Sequence, residues 1–398
     1  MKVLLVNKYL FQKGGAETYV IKLGKQLREL GHEVEYFGME HEDKLVYNSY
    51  DLYVKEKNFS SKKIFDVLSL ISNKEAYKKM CDLLRNFQPD LVISNNIEFH
   101  LTPSIIEAFG KYKKDNKNVK WFYVAHDYQI VCPSHGLFDN EMNICEKCLD
   151  KQNYWNCFYT KCHKNSKIKS LIATLDSIYW HKIKKVYKYV DCIICPSYFM
   201  QSKINTDDRL KNKTKVIHNF VDKKIINNYQ KKDYIIEFGK LCKDKGTETL
   251  LDVVEELPEI EFVFAGYGES EERIKKYKNA NYVGFKTGKE LEKLISEAKI
   301  SICPSEWYEN CPFSVIESQM YGTPVIGANI GGIPELIEEG KTGEIFESKN
   351  KKELKNKILE LYNNEKLEEY YKNCKVKDVE TLETYCKKII DIFEEAKK

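Results

Sequence analysis

The sequence predicts an α/β protein made of two doubly wound domains, and three observations carry that prediction. Short apolar runs of the kind that form buried parallel strands alternate with segments of helical periodicity. The alternation restarts near Val216, after an N-terminal half that already forms a complete set. The length of 398 residues is two to three times the ~100–200 of a usual single domain. The expected divisions are a first domain over 1–205, a second over 206–375, and a helix over 376–398 that returns to the first.

Val3-Leu4-Leu5-Val6 reads as a buried strand, Gly14-Gly15 as a loop. Ala16, Tyr19, Val20, Leu23, Leu27 and Leu30 then recur at helical spacing. Gly31 stands where helices end in a left-handed residue, and Val34-Glu35-Tyr36-Phe37 restarts a strand. Right-handed crossover makes such a sheet parallel. Further strands are expected at 91–93, 121–125 and 192–195, with helices over 74–87, 103–113 and 168–190. In the second half, strands at 235–238, 262–265, 281–283, 300–302 and 324–326 alternate with helices over 246–256, 269–277, 289–297, 313–321 and 333–339. The polar stretch 223–233 is the expected linker. In the C-terminal tail, Leu382, Tyr385, Ile389, Ile392 and Phe393 form one apolar face that needs a cover. Open sheets bind ligands at the carboxyl ends of their strands, so two of them leave a cleft for one.

An apolar fraction of 42% and a charged fraction of 31% describe a soluble globular chain. No run approaches the ~18 apolar residues of a spanning helix. The apolar stretch at the start is too short for a signal peptide, which points to the cytoplasm. A net charge of +4 gives no overall field for nucleic acid, but residues 151–190 hold nine Lys against one Asp. Only Arg28, Arg85, Arg209 and Arg273 are arginines among 64 basic residues, a bias typical of genome composition.

The sharpest signal lies in 303–343. A strand ends at Cys303, Glu309 follows in a loop, and Pro312-Phe313 opens a helix carrying Glu317 about one turn in. A helix start presents unpaired amides and a positive dipole end, which suits phosphate, and a carboxylate just inside can accept from a ribose diol. Gly331-Gly332 then forms a second turn ahead of Pro334.

These residues sit in "CPSEWYENCPFSVIESQMYGTPVIGANIGGIPELIEEGKTGEIFE". They are joined in order by "GGAETYVIKL", "GHEV", "HD" at 126–127, "CPSYF", "VIHNFVD", "FGKLCKDKG" and "FAGYGE". Over about residues 1–350 the chain resembles the retaining nucleotide-sugar glycosyltransferases of family 4. The resemblance implies the GT-B fold, two Rossmann-like domains facing across a cleft. It also implies a sugar transferred from a UDP- or GDP-type donor to a glycan acceptor, with retention and without a divalent metal. By position, Glu317 holds the donor ribose, Glu309 sits by the donor sugar and His126 lines the sugar pocket. The family's basic pair falls on Lys240 and Lys245, where Lys240 replaces an arginine and loses its bidentate fork. Gly14 and Gly15 approach phosphate or acceptor, and Gly266, Gly268, Gly284 and Phe285 contact the base. Asn310, Pro312, Phe313 and Ser314 complete the donor-binding loop. Capsule, exopolysaccharide or O-antigen assembly fits a bacterial member of this kind best, and a membrane contact would make the expected acceptor lipid-linked.

Two features stand apart. Cys145, Cys148, Cys157 and Cys162 have the spacing of a structural zinc knuckle, with Cys132, His135 and His163 nearby as spare ligands. An iron–sulfur cluster uses the same ligands, and buried thiols or a disulfide are the plain alternative. Beyond them, Ile168, Leu171, Ile172, Leu175, Ile178, Tyr179, Ile183 and Val186 form an apolar band among lysines. That band is either an ordinary domain helix or a peripheral contact with an anionic membrane. A zinc-knuckle nucleic-acid-binding protein would account for both features but for neither the Glu pair nor the second domain, so no nucleic-acid partner is expected. A same-fold synthase or epimerase acting on soluble sugars is the other alternative.

Overall fold

The computed structural model describes residues 1–11, 13–56, 70–221 and 229–397. Among the described residues, the chain forms two six-stranded parallel sheets in two compact units.

The first unit comprises Met1–Pro196, Met200–Ile217 and Leu382–Lys398. Its strands are β1 (Lys2–Val6), β2 (Glu33–Phe37), β3 (Leu91–Ser94), β4 (Lys120–Val124), β5 (Cys192–Cys195) and β6 (Thr214–Val216). They lie in the order β2-β1-β3-β4-β5-β6, so the winding reverses between β1 and β3. Val3 to Val6 are wholly buried, because a parallel sheet covered on both faces wants apolar side chains throughout. The helix Gly15–Glu29 buries Tyr19, Val20, Leu23 and Leu27, and Gly31 beyond its end is left-handed at φ 83°. The apolar face of the C-terminal helix Leu382–Lys397 finds its cover within this unit. Tyr385, Cys386, Ile389 and Phe393 are buried, and the Tyr19 and Tyr385 hydroxyls are 2.9 Å apart. Burying one large apolar side chain contributes roughly 1.5–3 kcal/mol before entropy is counted. This unit runs past the expected limit of 205 because β6 pairs with β5 as a sixth strand. The 168–190 helix is broken into Lys167–Ser177, a π-helical turn Ile178–Ile183 and a 3-10 turn Val186–Tyr189.

The second unit comprises Ser197–Phe199 and His218–Thr381. Its strands are β7 (Lys232–Lys240), β8 (Glu261–Tyr267), β9 (Ala280–Tyr282), β10 (Ala298–Cys303), β11 (Val325–Ala328) and β12 (Gly343–Phe346). Their order is β12-β11-β10-β7-β8-β9, two three-stranded halves that meet at β7 and β10. The helices Thr247–Glu255, Gly288–Glu297, Phe313–Met320 and Lys351–Tyr362 cover the sheet. The expected helix over 333–339 is only a 3-10 turn, Pro334–Leu336, and that over 269–277 shrinks to Glu271–Ile274. Of the expected linker, 223–228 lies outside the described residues. Its end is not a linker: Lys231 Nζ bonds Ala298 O and Thr323 Oγ1, and β7 begins at Lys232.

Candidate functional site

Doubly wound sheets bind ligands where the strand order reverses, because the loops there diverge and leave a crevice. In the second unit that point lies between β7 and β10, and the residues singled out in the sequence converge on it. Lys240 closes β7, and Lys245 follows in the turn before the helix Thr247–Glu255. The loop after β10 approaches this turn, with Glu306 N donating to Asp244 O at 3.0 Å. Lys245 Nζ lies 2.5 Å from Glu309 Oε1, an oxygen that also accepts from Ser305 Oγ at 3.1 Å. Burial works against the Lys245 ammonium, but the Glu309 charge and hydrogen bond outweigh it and hold the pKa above the ordinary lysine value. Lys240 is half exposed, 3.8 Å from Asp244 Oδ1. There too the nearby anion overcomes desolvation and raises the pKa.

Glu309 is fixed from behind by Gly331 and Gly332. Gly332 N donates to Glu309 O at 2.7 Å. A Cβ on Gly331 would stand 2.3 Å from that same oxygen, and Gly331 is left-handed at φ 61°. The loop pair therefore has no room for side chains. The helix Phe313–Met320 starts at Pro312, whose own side chain makes no capping hydrogen bond. Glu317 is half-buried one turn inside it, and Ser314 Oγ lies 3.8 Å from Cys303 Sγ. Asn310 and Phe313 flank this start. Phe285 is exposed and meets Tyr267 edge-on at 5.6 Å, with the left-handed Gly284 beside it. Gly266 and Gly268 also answer to packing within this unit. A Cβ at either would fall about 2 Å from the carbonyl oxygen of Gly239 or Leu241, so strand packing already requires them bare.

One carboxyl here was not foreseen. Glu237 on β7 is buried, accepts from Thr247 Oγ1 at 2.8 Å, and is pushed by burial up to about 8. No sequence signal marks it.

The first unit reverses its winding between β1 and β3, and a second polar group gathers there. His126, after β4, has Nε2 2.8 Å from Asn95 Oδ1 and meets Tyr19 edge-on at 5.0 Å. Burial depresses its pKa to about 4, so the ring is neutral near pH 7. Glu98 and Asp127 lie close enough to repel. Burial first, and then Asp127, lifts Glu98 to about 8, while burial lifts Asp127 to about 6 against Lys8. Glu98 Oε1 accepts from Ile97 N at 3.1 Å, and Asp127 Oδ1 from Gln129 N at 2.9 Å. His135 Nδ1 is 3.8 Å from Asp127 Oδ2, and Phe99 stacks on its ring. Sequence reasoning missed Glu98, although its place just after a strand end was the available signal. Gly14 precedes the helix Gly15–Glu29 with an extended backbone, and Gly15 faces open space.

Of the four cysteines expected as ligands, Cys148, Cys157 and Cys162 lie together. Cys157 and Cys162 have sulfurs 2.6 Å apart, and Cys148 is buried with Cys157 in a small core with Tyr154 and Ala173. Cys145 lies near enough to Cys148 for its charge to act on that thiol, and its N–H bonds Leu137 O. Among the described residues, no group of three His, Cys, Asp or Glu is placed to hold a metal. The shared hydrogen bond holds Cys162 down at about 7 and Cys157 up. Among the described residues, no helix is long and apolar enough to cross a membrane.

Residues 13–224, more than half of the chain, match the family model for glycosyltransferase family 4, and 219–377 match that for glycosyl transferases group 1. An uncharacterized 41.2 kDa protein in the cps region of Klebsiella pneumoniae is 34% identical over 204 residues, 44% of this chain and 56% of that protein. The chain spans about half the length of the first curated relatives it matches. Among solved structures, HepE of Anabaena in complex with UDP superposes with a TM-score of 0.66 at 16% identity, covering 99% of this chain and all of that one. Sucrose-phosphate synthase of Thermosynechococcus elongatus gives 0.68 at 15% identity, covering 99% and 98%. At such identities the superpositions establish the fold, and that fold is GT-B. With strand reversals, loop positions and family match in agreement, this chain belongs to glycosyltransferase family 4.

Proposed function

We propose that the protein transfers a sugar from a UDP- or GDP-type donor, with retention at the anomeric carbon, to a lipid-linked glycan in bacterial surface polysaccharide assembly. The observation that carries this reading is the Lys245–Glu309 pair, 2.5 Å apart at the strand reversal of the second unit and followed by the helix Phe313–Met320. In this reading the donor diphosphate takes over Lys245 from Glu309 and meets Lys240 and the helix amides. Positive charge is then already in place where negative charge develops as the leaving group departs. Glu309, released, turns to the donor sugar hydroxyls, and Glu317 accepts from the ribose diol. A carboxylate committed to accepting from the donor sugar hydroxyls is not free to attack the anomeric carbon, which favours attack from the leaving-group face over a double displacement. No metal is needed where two ammonium groups and a helix dipole balance the diphosphate. His126, held neutral with its Nε2–H toward Asn95 Oδ1, can accept a hydrogen bond from a sugar hydroxyl without adding charge. The UDP bound by HepE and the cps region of the Klebsiella relative support the donor class and the surface-glycan setting. The enzyme would then work in the cytoplasm at the membrane's inner face.

Calorimetric titration with a panel of UDP- and GDP-sugars tests the donor, and NMR of the product's anomeric proton tests retention. Binding of one class with micromolar affinity is expected. Failure of every nucleoside diphosphate sugar to bind would end this reading.

A further inference from the structure

The helix Lys167–Ser177 is packed inside out. Its buried positions are Ser170, Ala173, Thr174 and Ser177, all small. Two of its large aliphatic residues point the other way, Ile168 at 73% exposed and Leu175 at 41%, while Leu171 and Ile172 are half-buried. The period continues through the π-helical turn to Ile183, 66% exposed, with Ile172 and Tyr179 half-buried between them. Positions 168, 172, 175, 179 and 183 are three or four apart, so they form one stripe along the outside. Lysines 167, 169, 182 and 185 are exposed on either side of it. The neighbouring helix Trp155–Thr160 leaves Trp155 and Tyr159 exposed as well.

A stripe of this kind wants a cover, and its charge decides which. A second copy of the same face would bring two sets of lysines together, and such like-charge contacts are disfavoured. An anionic bilayer satisfies both parts. Aliphatic side chains enter the boundary between headgroups and acyl chains, lysines reach anionic headgroups, and Trp and Tyr are at home at that depth. We propose that the face bearing Ile168, Leu175 and Ile183 docks the first unit on an anionic lipid surface. The proposal rests on the preceding reading for its purpose, since docking brings the enzyme to a lipid-linked acceptor. Its test uses no sugar.

The full chain is sedimented with vesicles of phosphatidylcholine alone and of phosphatidylcholine with phosphatidylglycerol. At low salt, roughly tenfold more protein is expected on the anionic vesicles, falling when salt screens the lysines. The double variant Ile168→Ser/Ile183→Ser should lose at least roughly tenfold of that binding, since each isoleucine gives up its apolar burial. Both positions are exposed, so its melting temperature and its affinity for the nucleotide sugar should match the parent's. Equal sedimentation with both vesicles, or undiminished binding by the variant, overturns the proposal. So does a parent that self-associates through this face without binding vesicles. A chain that binds vesicles but no nucleotide sugar would overturn the donor reading and leave this one standing.

Discussion

At the strand reversal of the second unit, Lys245 and Glu309 form an ion pair with Lys240 nearby. At the reversal of the first, two carboxyls, Glu98 and Asp127, lie among histidines that burial keeps neutral. The scaffolds are alike, six parallel strands wound in two directions, so the fold does not dictate the difference. A diphosphate carries charge that must be balanced, and mobile ammonium groups do that. A sugar hydroxyl carries none, and is recognised by groups that donate or accept singly. A protonated carboxyl beside an ionised one offers one of each. The charge of each reversal thus matches the chemistry proposed for it.

The strongest way to break this comparison is to remove the cation. Lys245→Ala is expected to lower kcat by roughly 10²–10³, the usual loss when a preorganised group at a developing charge is deleted. It also leaves Glu309 half-buried without its partner. Lys245→Arg should recover much of the rate, and a steady-state assay with the preferred donor checks both. An unchanged kcat for the alanine variant would mean that the second unit's charge is structural.

Glu317→Ala comes next. A hydrogen bond to a charged group is worth about 1.5–3 kcal/mol, so donor affinity should fall roughly 10–100-fold. Calorimetry on the variant reads this directly, and unchanged affinity would remove the ribose contact from the scheme.

The carboxyl pair gives a pH test that the second unit's lysines do not. Glu98 and Asp127 are both raised above their ordinary values, so the folded protein holds protons that the unfolded chain releases. The stabilisation is therefore complete below about pH 4 and is lost as pH rises through about 6 to about 8. Each pKa unit corresponds to ~1.4 kcal/mol, but both groups are partly solvated, so a loss on the order of 1 kcal/mol is expected. Glu98→Gln/Asp127→Asn should flatten that part of the melting-temperature profile. A parent slope that persists in the double variant would assign the titration elsewhere, with Glu237 the first candidate.

Much of this molecule was legible before any coordinates. Continuous apolar runs such as Val3 to Val6 mark buried parallel strands, and the ordered motifs place Glu309 and Glu317 in one loop-and-helix unit. Strand order is not written in the sequence, so the meeting of Asn95, Glu98 and Asp127 from two strand ends had no local signal beyond position. The basic segment was expected as one helix over 168–190, with its facing left open, and it is an α-helix only over Lys167–Ser177. Periodicity shows that one face is apolar, and only packing shows that small residues such as Ser170 and Ala173 took the inside.

Lys240 allows the finest adjustment of the comparison. It stands where the family has an arginine, and its ammonium is half exposed and 3.8 Å from Asp244. A lysine there supplies charge from a mobile stem, whereas an arginine would bind two phosphate oxygens in one plane. If the second unit works mainly by charge balance, Lys240→Arg should change little, raising kcat/KM by about two- to fivefold through better positioning. The gain should appear in kcat more than in KM, because the leaving group's charge grows only as the bond to the sugar breaks. A loss of activity instead would show that the surrounding turn is shaped for an ammonium, with Asp244 holding it in place. Charge balance and geometry would then have been tuned together in this chain, and the contrast with the uncharged recognition proposed for the first unit would have to be drawn in shape as well as in sign.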